Sequence, residues 1–144
     1  RRATEIKKRN AWNVIAGYTI CNDVTARSLQ THDIRNRHPW FRSKSFDTFS
    51  PIGPWIVTKD EIRPPVHLSV ECRVNGRVRQ KANTRALIFD IPTVIEFITR
   101  YITLEPGDIV STGTPAGIGP IRHGDTVVCR IQKIGELSNP VRYR

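Results

Sequence analysis

The sequence predicts an α+β fold that is predominantly β, with one main helix at about residues 91–102. Several short segments alternate apolar and polar residues with the period of two that is typical of half-buried strands. Only one segment repeats apolar residues clearly at helical spacing. The 144 residues suffice for one domain with a hydrophobic core. We therefore expect an antiparallel or mixed sheet with a helix packed on it.

The first predicted strand covers residues 14–21, which are apolar and β-prone. It ends at Asn22 and Asp23, both of which are poor strand formers. Residues 25–33 are expected to form a short helical turn. Residues 32–43 are polar and rich in arginine and histidine, which favours a loop.

A hairpin is predicted in the middle of the chain. Residues 66–74 alternate apolar and polar side chains, as a half-buried strand does. The pair Asn75-Gly76 follows and indicates a type I′ turn. Residues 77–80 then return as the second strand.

The main helix is predicted from apolar residues at near-helical spacing, namely Ile91, Val94, Ile95, Ile98 and Ile102. Asp90 can cap its amino terminus, and Pro92 suits its first turn. Beyond it, residues 109–111 are predicted to form a short strand that leads into the glycine-rich loop 112–120. A further strand is expected at residues 126–132.

The composition is basic, with a net charge of +10, and residues 1–10 are expected to form a basic arm or a helix end. Such a balance is compatible with nucleic acid, an acidic small substrate or a solvated surface. No apolar stretch reaches the roughly 18 residues of a membrane span, and no signal peptide is visible. The three separated cysteines favour reduced, partly buried thiols in a cytoplasmic protein. Because the chain contains no methionine, we expect it to be a fragment or a processed piece.

Four sets of residues are candidates for chemistry, each with a structural alternative. Asp23 at a strand end suits a hard cation, although an Asn-Asp pair there also forms turns. Arg27 and Gln30 would share a helix face with Asp23, where an arginine can grip a carboxylate or simply face solvent. Lys44, between two serines, could supply a fixed positive charge or be an ordinary surface lysine. The loop 112–120 could bring backbone N–H groups to an anion or be a tight turn.

Other catalytic arrangements are not favoured. The four histidines show no metal-ligand spacing, and His32 alone lies near the candidate residues. Neither a Gly-x-Ser-x-Gly elbow nor a cysteine with an evident base is found, so a serine or cysteine hydrolase is not expected.

Five blocks, in order from about residue 11 to residue 142, resemble the fumarylacetoacetate hydrolase family. Residues 16–30 (AGYTICNDVTARSLQ) resemble its GYT…NDVSARDxQ block, and residues 44–55 (KSFDTFSPIGPW) its KSFDTFxPxGPW block. The remaining blocks are residues 74–76 with 83–84, residues 104–108 with 112–117, and residues 134–141.

The resemblance implies a mixed β-roll, usually homodimeric, that holds Mg²⁺, Mn²⁺ or Ca²⁺ through three or four carboxylates. Asp23 matches one metal ligand, Lys44 the catalytic lysine beside the metal, and Thr48 a nearby position. Substrate-contacting positions are matched by Arg27, Gln30 and Thr114, with the backbone N–H of Gly113 nearby.

Two departures from the family pattern stand out. Ser28 occupies a position that is usually aspartate, which is expected to loosen the salt links around Arg27. The Glu-x-Glu metal pair and the catalytic histidine or lid lie upstream of this segment in the family. Residues 11–144 are therefore expected to be a single domain of this family that lacks its amino-terminal part.

The implied function is a metal-dependent hydrolase or isomerase of acylpyruvate-type or hydroxymuconate-type keto acids from aromatic degradation, acting through a metal-stabilised enolate. Lys44 would add positive charge, and Arg27 would orient a carboxylate. The alternatives are an oxaloacetate-type decarboxylase of the family and an inactive relative. A basic nucleic-acid-binding module is the alternative from another class, but the tryptophans and tyrosines form no stacking pattern.

Overall fold

The computed structural model describes residues 1–143 and contains two sheets and two α-helices, which confirms the predominantly β, α+β prediction. Residue 144, the end of the predicted domain 11–144, lies outside the described residues. The elements in chain order are β1 (Gly17–Cys21), α1 (Arg27–Arg35), β2 (Ile52–Thr58), β3 (Ser69–Val74), β4 (Arg77–Asn83), α2 (Ile91–Thr99), β5 (Thr126–Ile131) and β6 (Gly135–Pro140). Short 3₁₀ helices cover Lys8–Asn13, Phe41–Lys44 and Thr84–Ala86.

The smaller sheet pairs β1 with β2 in antiparallel register, Tyr18 opposite Val57. At Gly17 an added Cβ would lie 2.4 Å from the carbonyl oxygen of Val57, so only glycine permits this close approach. Ile20 is buried in the core with Val57, and Ile62, Val66, Leu68 and Ile134 complete that cluster. The end of β1 is thus fixed on the core, which holds the following residue, Asn22, and its neighbour Asp23 in place.

The larger sheet has the strand order β4-β3-β5-β6, with every neighbour antiparallel. The predicted hairpin is confirmed, because Asn75 and Gly76 have φ values of 51° and 77°, as a type I′ turn requires. The predicted strand at residues 126–132 is confirmed as β5. β6 was not predicted; it pairs with β5 along the edge of the sheet.

The predicted main helix is confirmed as α2, but its end at residue 102 was placed three residues too late. Asp90 Oδ1 accepts a hydrogen bond from the backbone N–H of Thr93 at 2.8 Å, which is the expected cap. The helix ends at Thr99, whose buried hydroxyl donates to the Ile95 carbonyl and accepts from the Ile6 amide. Beyond Thr99 the chain continues in a turn, in which the amides of Tyr101 and Ile102 donate to the Ile98 carbonyl at 3.0 and 2.9 Å.

Residues 1–10 are docked on α2 and its following turn. Ala3 and Leu104 exchange backbone hydrogen bonds of 2.8 and 2.9 Å. Lys8 Nζ contacts Asp90 Oδ2 at 2.9 Å and donates to Thr93 Oγ1 at 2.7 Å. The last residues of this segment begin the first 3₁₀ helix.

The prediction of a strand at residues 109–111 is wrong, because these residues belong to no sheet of the described chain. Their sequence is apolar and β-prone, but a strand also needs a neighbouring strand to pair with. Among the described residues, no strand pairs with this segment. Among residues 1–143, no helix is long and apolar enough to cross a membrane.

Candidate active site

The centre of the candidate site is a contact between Asp23 and Lys44. Lys44 Nζ donates to Asp23 Oδ2 and also to Thr25 Oγ1, the latter at 3.2 Å. The Thr25 hydroxyl donates to the carbonyl of Asp23 at 3.2 Å. Both charged side chains stay about one-third exposed, 32% for Asp23 and 28% for Lys44, so substrate and ions can reach them.

Backbone hydrogen bonds hold the two segments of this contact together. The amide of Ala26 donates to the carbonyl of Ser43 at 2.8 Å, and that of Asn22 to Pro51 at 3.1 Å. Ser43 is fully buried, and its hydroxyl donates to Trp40 at 2.7 Å. Lys44 therefore ends a 3₁₀ helix that is fixed against the loop carrying Asp23.

Arg27 and Gln30 lie on the first turn of α1, beside Asp23 in sequence. Arg27 Nη1 donates to Gln30 Oε1 at 2.5 Å. Gln30 is buried, whereas Arg27 is exposed and lines the same cavity as Asp23. Gln30 thus orients the guanidinium, and Arg27 has no ion pair with a carboxylate among those found in residues 1–143.

A cavity of about 1690 Å³ is lined by both the glycine-rich loop and Asp23. It is lined by Asp23, Arg27, Gly113 and Thr114, whereas Gln30, Lys44 and Thr48 lie outside its lining. Thr48 is exposed, with a φ of 68°. The structure therefore brings Asp23 and Lys44 into contact and leaves Thr48 at the surface.

The glycine-rich loop is held against β4 at two points. Gln80 Nε2 donates to the Pro115 carbonyl at 2.7 Å. At Gly117, where φ is 101°, an added Cβ would lie 2.0 Å from the Arg79 carbonyl oxygen. This close approach fixes the loop, and Gly113 and Thr114 remain exposed on its cavity side.

The cysteines are free and half-buried, as predicted. Burial, and then the charge of Asp23, raise the pKa of the Cys21 thiol. Cys21 is therefore protonated near neutral pH and is a poor nucleophile. Its place at the end of β1 makes it part of the wall beside Asp23.

The donor set at Asp23 suits one position of a hard divalent cation. Mg²⁺ commonly takes one or two carboxylates and completes its octahedron with waters and substrate oxygens. Asp23 offers such an oxygen at the cavity. Among the described residues, Asp23 belongs to no group of three or more His, Cys, Asp or Glu ligand atoms.

Sequence reasoning missed a second cluster, formed by His32, Asp33 and His38. One ligand atom of each lies within 4.8 Å of the others, a proximity that the sequence spacing of the histidines does not predict. The spacing of the histidines in the sequence does not indicate this cluster, because His38 returns to it through a turn after α1. Arg42 completes the group by a forked ion pair with Asp33 at 2.5 and 2.8 Å.

Comparisons with known proteins agree with this architecture. The family model for the fumarylacetoacetate (FAA) hydrolase C-terminal region matches residues 1–142. An uncharacterised protein of Methanocaldococcus jannaschii, MJ1656, is 51% identical over 99% of this chain and 57% of its own length. The mitochondrial oxaloacetate tautomerase fahd2 of Xenopus laevis is 40% identical over 98% of this chain and 46% of its own length. The chain thus spans about half the length of the curated relatives that it matches.

Two solved structures superpose on the whole chain. The 5-carboxymethyl-2-hydroxymuconate delta-isomerase of Mycobacterium smegmatis has a TM-score of 0.92 at 43% identity, with 55% of its chain covered. The fumarylpyruvate hydrolase of Pseudomonas aeruginosa, solved with Mn²⁺ and pyruvate, has a TM-score of 0.95 at 31% identity, with 61% covered. On the match to the family model over residues 1–142, this chain belongs to the fumarylacetoacetate hydrolase family.

Proposed function

We propose that the protein is a divalent-cation-dependent hydrolase or isomerase of small α-keto acids of the acylpyruvate or hydroxymuconate type. The observation that carries this proposal is the contact between Asp23 and Lys44 beside a large, open cavity. A carboxylate for a hard cation then lies next to a fixed ammonium, and an exposed arginine lines the same cavity. The fumarylpyruvate hydrolase and hydroxymuconate isomerase similar to this chain support the same substrate class.

Each residue of the site has a defined part in this proposal. Asp23 would supply one oxygen ligand to Mg²⁺, or to Mn²⁺ or Ca²⁺, and the bound cation would polarise the keto oxygen of the substrate as a Lewis acid. Lys44 places a positive charge beside Asp23, where it stabilises negative charge that develops on the substrate.

The remaining residues would position the substrate. Arg27, oriented by Gln30, offers a forked guanidinium that suits a distal carboxylate. Across the cavity, Gly113 and Thr114 offer a backbone N–H and a hydroxyl for oxygens of the substrate. Thr48 would act near the cation, as the family resemblance implies, and not on the substrate, because it lies outside the lining of the cavity.

Oxaloacetate is a second candidate substrate, favoured by the similarity to the oxaloacetate tautomerase of Xenopus laevis. Keto–enol interconversion requires a proton to move at the carbon next to the keto group, and Lys44 would stabilise the same developing charge. Decarboxylation of oxaloacetate develops similar negative charge on the substrate. The two reactions are therefore distinguished by identifying their products.

The test is a substrate panel with fumarylpyruvate, a hydroxymuconate and oxaloacetate, each assayed with Mg²⁺, Mn²⁺ or excess chelator. We expect turnover of at least one substrate that chelation abolishes. Asp23→Asn should lower this turnover at least about tenfold, because one hard ligand becomes a neutral amide. The matched control Asp60→Asn alters an exposed aspartate outside the cavity and should retain full activity.

Turnover that persists in excess chelator, or in Asp23→Asn, would contradict the proposal. Absence of turnover together with absence of Mn²⁺ binding would instead support an inactive relative. Tight, salt-dependent binding of DNA or RNA would support the nucleic-acid-binding alternative.

We also propose that the protein is a homodimer. Large apolar side chains are exposed on α2 and the turn after it, including Phe97, Tyr101 and Ile102. Sedimentation equilibrium measures the mass directly, and a monomer at all accessible concentrations would contradict this proposal.

A further inference from the structure

The carboxyl end of α1 carries a cluster of side chains that the proposed function does not use. His32 and Asp33 lie in the last turn of the helix, and His38 lies just beyond it. Two ring nitrogens, one from each histidine, and a carboxylate oxygen of Asp33 all lie within 4.8 Å of one another. The distance from His32 Nδ1 to Asp33 Oδ1 is 3.3 Å.

Backbone geometry explains why His38 returns to this cluster. Arg37 adopts a left-handed conformation with a φ of 56°, and its N–H donates to the Ile34 carbonyl at 3.1 Å. The N–H of His38 donates to the Asp33 carbonyl at 2.8 Å. These two bonds are those of a Schellman motif, which ends a helix and turns the chain back on it. The Asn36 side chain also donates to the His32 carbonyl, at 2.8 Å.

The Asp33 carboxylate is fixed in place, whereas the two histidines are exposed. Asp33 is completely buried, and the Arg42 guanidinium donates to both of its carboxylate oxygens. A carboxylate has about four acceptor sites, so the two hydrogen bonds from Arg42 leave capacity on its oxygens. The His32 side chain is 60% exposed and His38 is exposed as well, so an ion reaches the two rings from solvent and meets Asp33 behind them.

From this arrangement we infer that His32, Asp33 and His38 form a binding site for a borderline divalent cation of the Zn²⁺, Cu²⁺ or Ni²⁺ type. Two imidazoles favour these ions over Mg²⁺, which prefers oxygen ligands. Ligand atoms on one such ion lie at most about 4.2 Å apart, given bonds of about 2.1 Å. Modest rotation of the exposed rings therefore closes the site, and water completes the coordination.

The site is separate from the proposed catalytic cation at Asp23, since the two have different ligands. Asp23 offers only oxygen, whereas this cluster offers two nitrogens and one oxygen. An ion bound here would join the end of α1 to the turn that follows it. Through the Arg42–Asp33 pair, it would also stiffen the 3₁₀ helix that ends in Lys44.

The experiment is a calorimetric titration of chelator-treated protein with Zn²⁺, in parallel with variants of single histidines. We expect one saturable site whose affinity falls at least about tenfold in His32→Ala and in His38→Ala. His67→Ala and His123→Ala are matched controls that remove exposed histidines elsewhere, and they should bind as the parent protein does. Asp23→Asn should also retain Zn²⁺ binding, which separates this site from the proposed catalytic one.

Electron paramagnetic resonance of the Cu²⁺-loaded protein provides a second readout that does not depend on activity. We expect hyperfine splitting from two nitrogens, reduced to one in His38→Ala. Spectra without nitrogen splitting would overturn the inference. It would equally be overturned if Zn²⁺ binding survived both histidine variants, or if it were lost in Cys72→Ser, which would place the ion on thiols. Circular dichroism of each variant checks that it is folded.

Discussion

Lys44 Nζ donates a hydrogen bond to Asp23 Oδ2 across 21 residues of sequence. The contact links the loop that follows β1 to the end of a 3₁₀ helix. A cation that binds Asp23 must share this carboxylate with the ammonium, which raises the local positive charge. Lys44 is therefore expected to affect the charge on the substrate more than the affinity for the cation.

Replacing Lys44 with methionine separates these two effects. Because Lys44→Met removes a positive charge beside Asp23, the affinity for Mn²⁺ should be unchanged or higher. The kcat for the preferred keto acid should fall at least about tenfold, because the fixed charge that stabilises the substrate anion is lost. Calorimetry with Mn²⁺ and steady-state kinetics measure the two quantities. Lys133→Met, at an exposed turn between β5 and β6, is the control, and a Lys44→Met variant with normal kcat would remove Lys44 from the mechanism.

The paired cysteines of the larger sheet provide a pH-dependent prediction. Cys72 and Cys129 lie opposite each other on β3 and β5, and their hydrogen bond lowers the pKa of Cys72 to about 7. The same contact, together with burial, raises the pKa of Cys129. Because thiolate is the reactive form, alkylation of Cys72 should accelerate as the pH rises through about 7.

Iodoacetamide labelling at a series of pH values, followed by peptide mass mapping, measures each thiol separately. Cys129→Ala removes the hydrogen-bond donor, so the Cys72 profile should move up toward the ordinary thiol pKa of about 8.5. Cys21 is the internal control, since its raised pKa predicts slow labelling throughout. Equal rates for all three cysteines would show that the Cys72–Cys129 contact does not control reactivity.

Local chemistry was enough to predict much of the fold. The alternation before Asn75-Gly76, the positive-φ turn itself and the Asp90 cap all depend on residues that are neighbours in sequence. β2 and β6 could not be recognised in this way. β2 contains Gly53 and Pro54, and both strands acquire their hydrogen bonds from distant segments.

In the candidate site, too, contacts between residues distant in sequence could not be predicted from local patterns. Taken singly, Asp23 is compatible with a cation ligand or a turn residue, and Lys44 with a fixed charge or a surface lysine. Only the family resemblance predicts that the two lie close together. The metal-ligand cluster was missed because His38 reaches Asp33 only through the left-handed turn at Arg37. Arg37 is neither glycine nor asparagine, so no residue type at this position indicates a left-handed turn.

Two glycines of the loop 112–120 give a matched test of its attachment. Gly117→Ala would force a Cβ to 2.0 Å from the Arg79 carbonyl at a φ of 101°, so the backbone must move. We expect the free energy of unfolding to fall by about 2 kcal/mol or more. At Gly119 an added Cβ meets nothing within 4 Å, and Gly119→Ala should change stability by less than about 0.5 kcal/mol. Urea denaturation of both variants checks this, and equal stabilities would show that the loop does not rest on β4.

The ion pair between the buried Asp33 and the half-exposed Arg42 predicts how stability depends on pH. The folded-state pKa of Asp33, about 2, lies below the roughly 3.9 of an unfolded aspartate, so folding favours the ionised form. The stabilisation is fully present above about pH 4 and is lost as the pH falls toward about 2. Arg42→Met removes the guanidinium and leaves a buried carboxylate without its cation, which should lower the Tm by several degrees near neutral pH.

The deficit of Arg42→Met should shrink below about pH 4. The aspartate of the unfolded parent chain then takes up a proton while Asp33 of the folded parent is still ionised, so the stabilisation from the ion pair declines. Thermal unfolding followed by circular dichroism from about pH 3 to about pH 7 measures both proteins. Arg73→Met is the matched control, since Arg73 is about as exposed as Arg42 but its partner Glu71, unlike Asp33, keeps some contact with solvent. A deficit that stayed constant over the whole range would assign the effect of Arg42 to packing rather than to charge.

Loss of turnover in Arg42→Met at neutral pH, with the protein still folded, would show that the pair also positions Lys44 at the end of the same 3₁₀ helix.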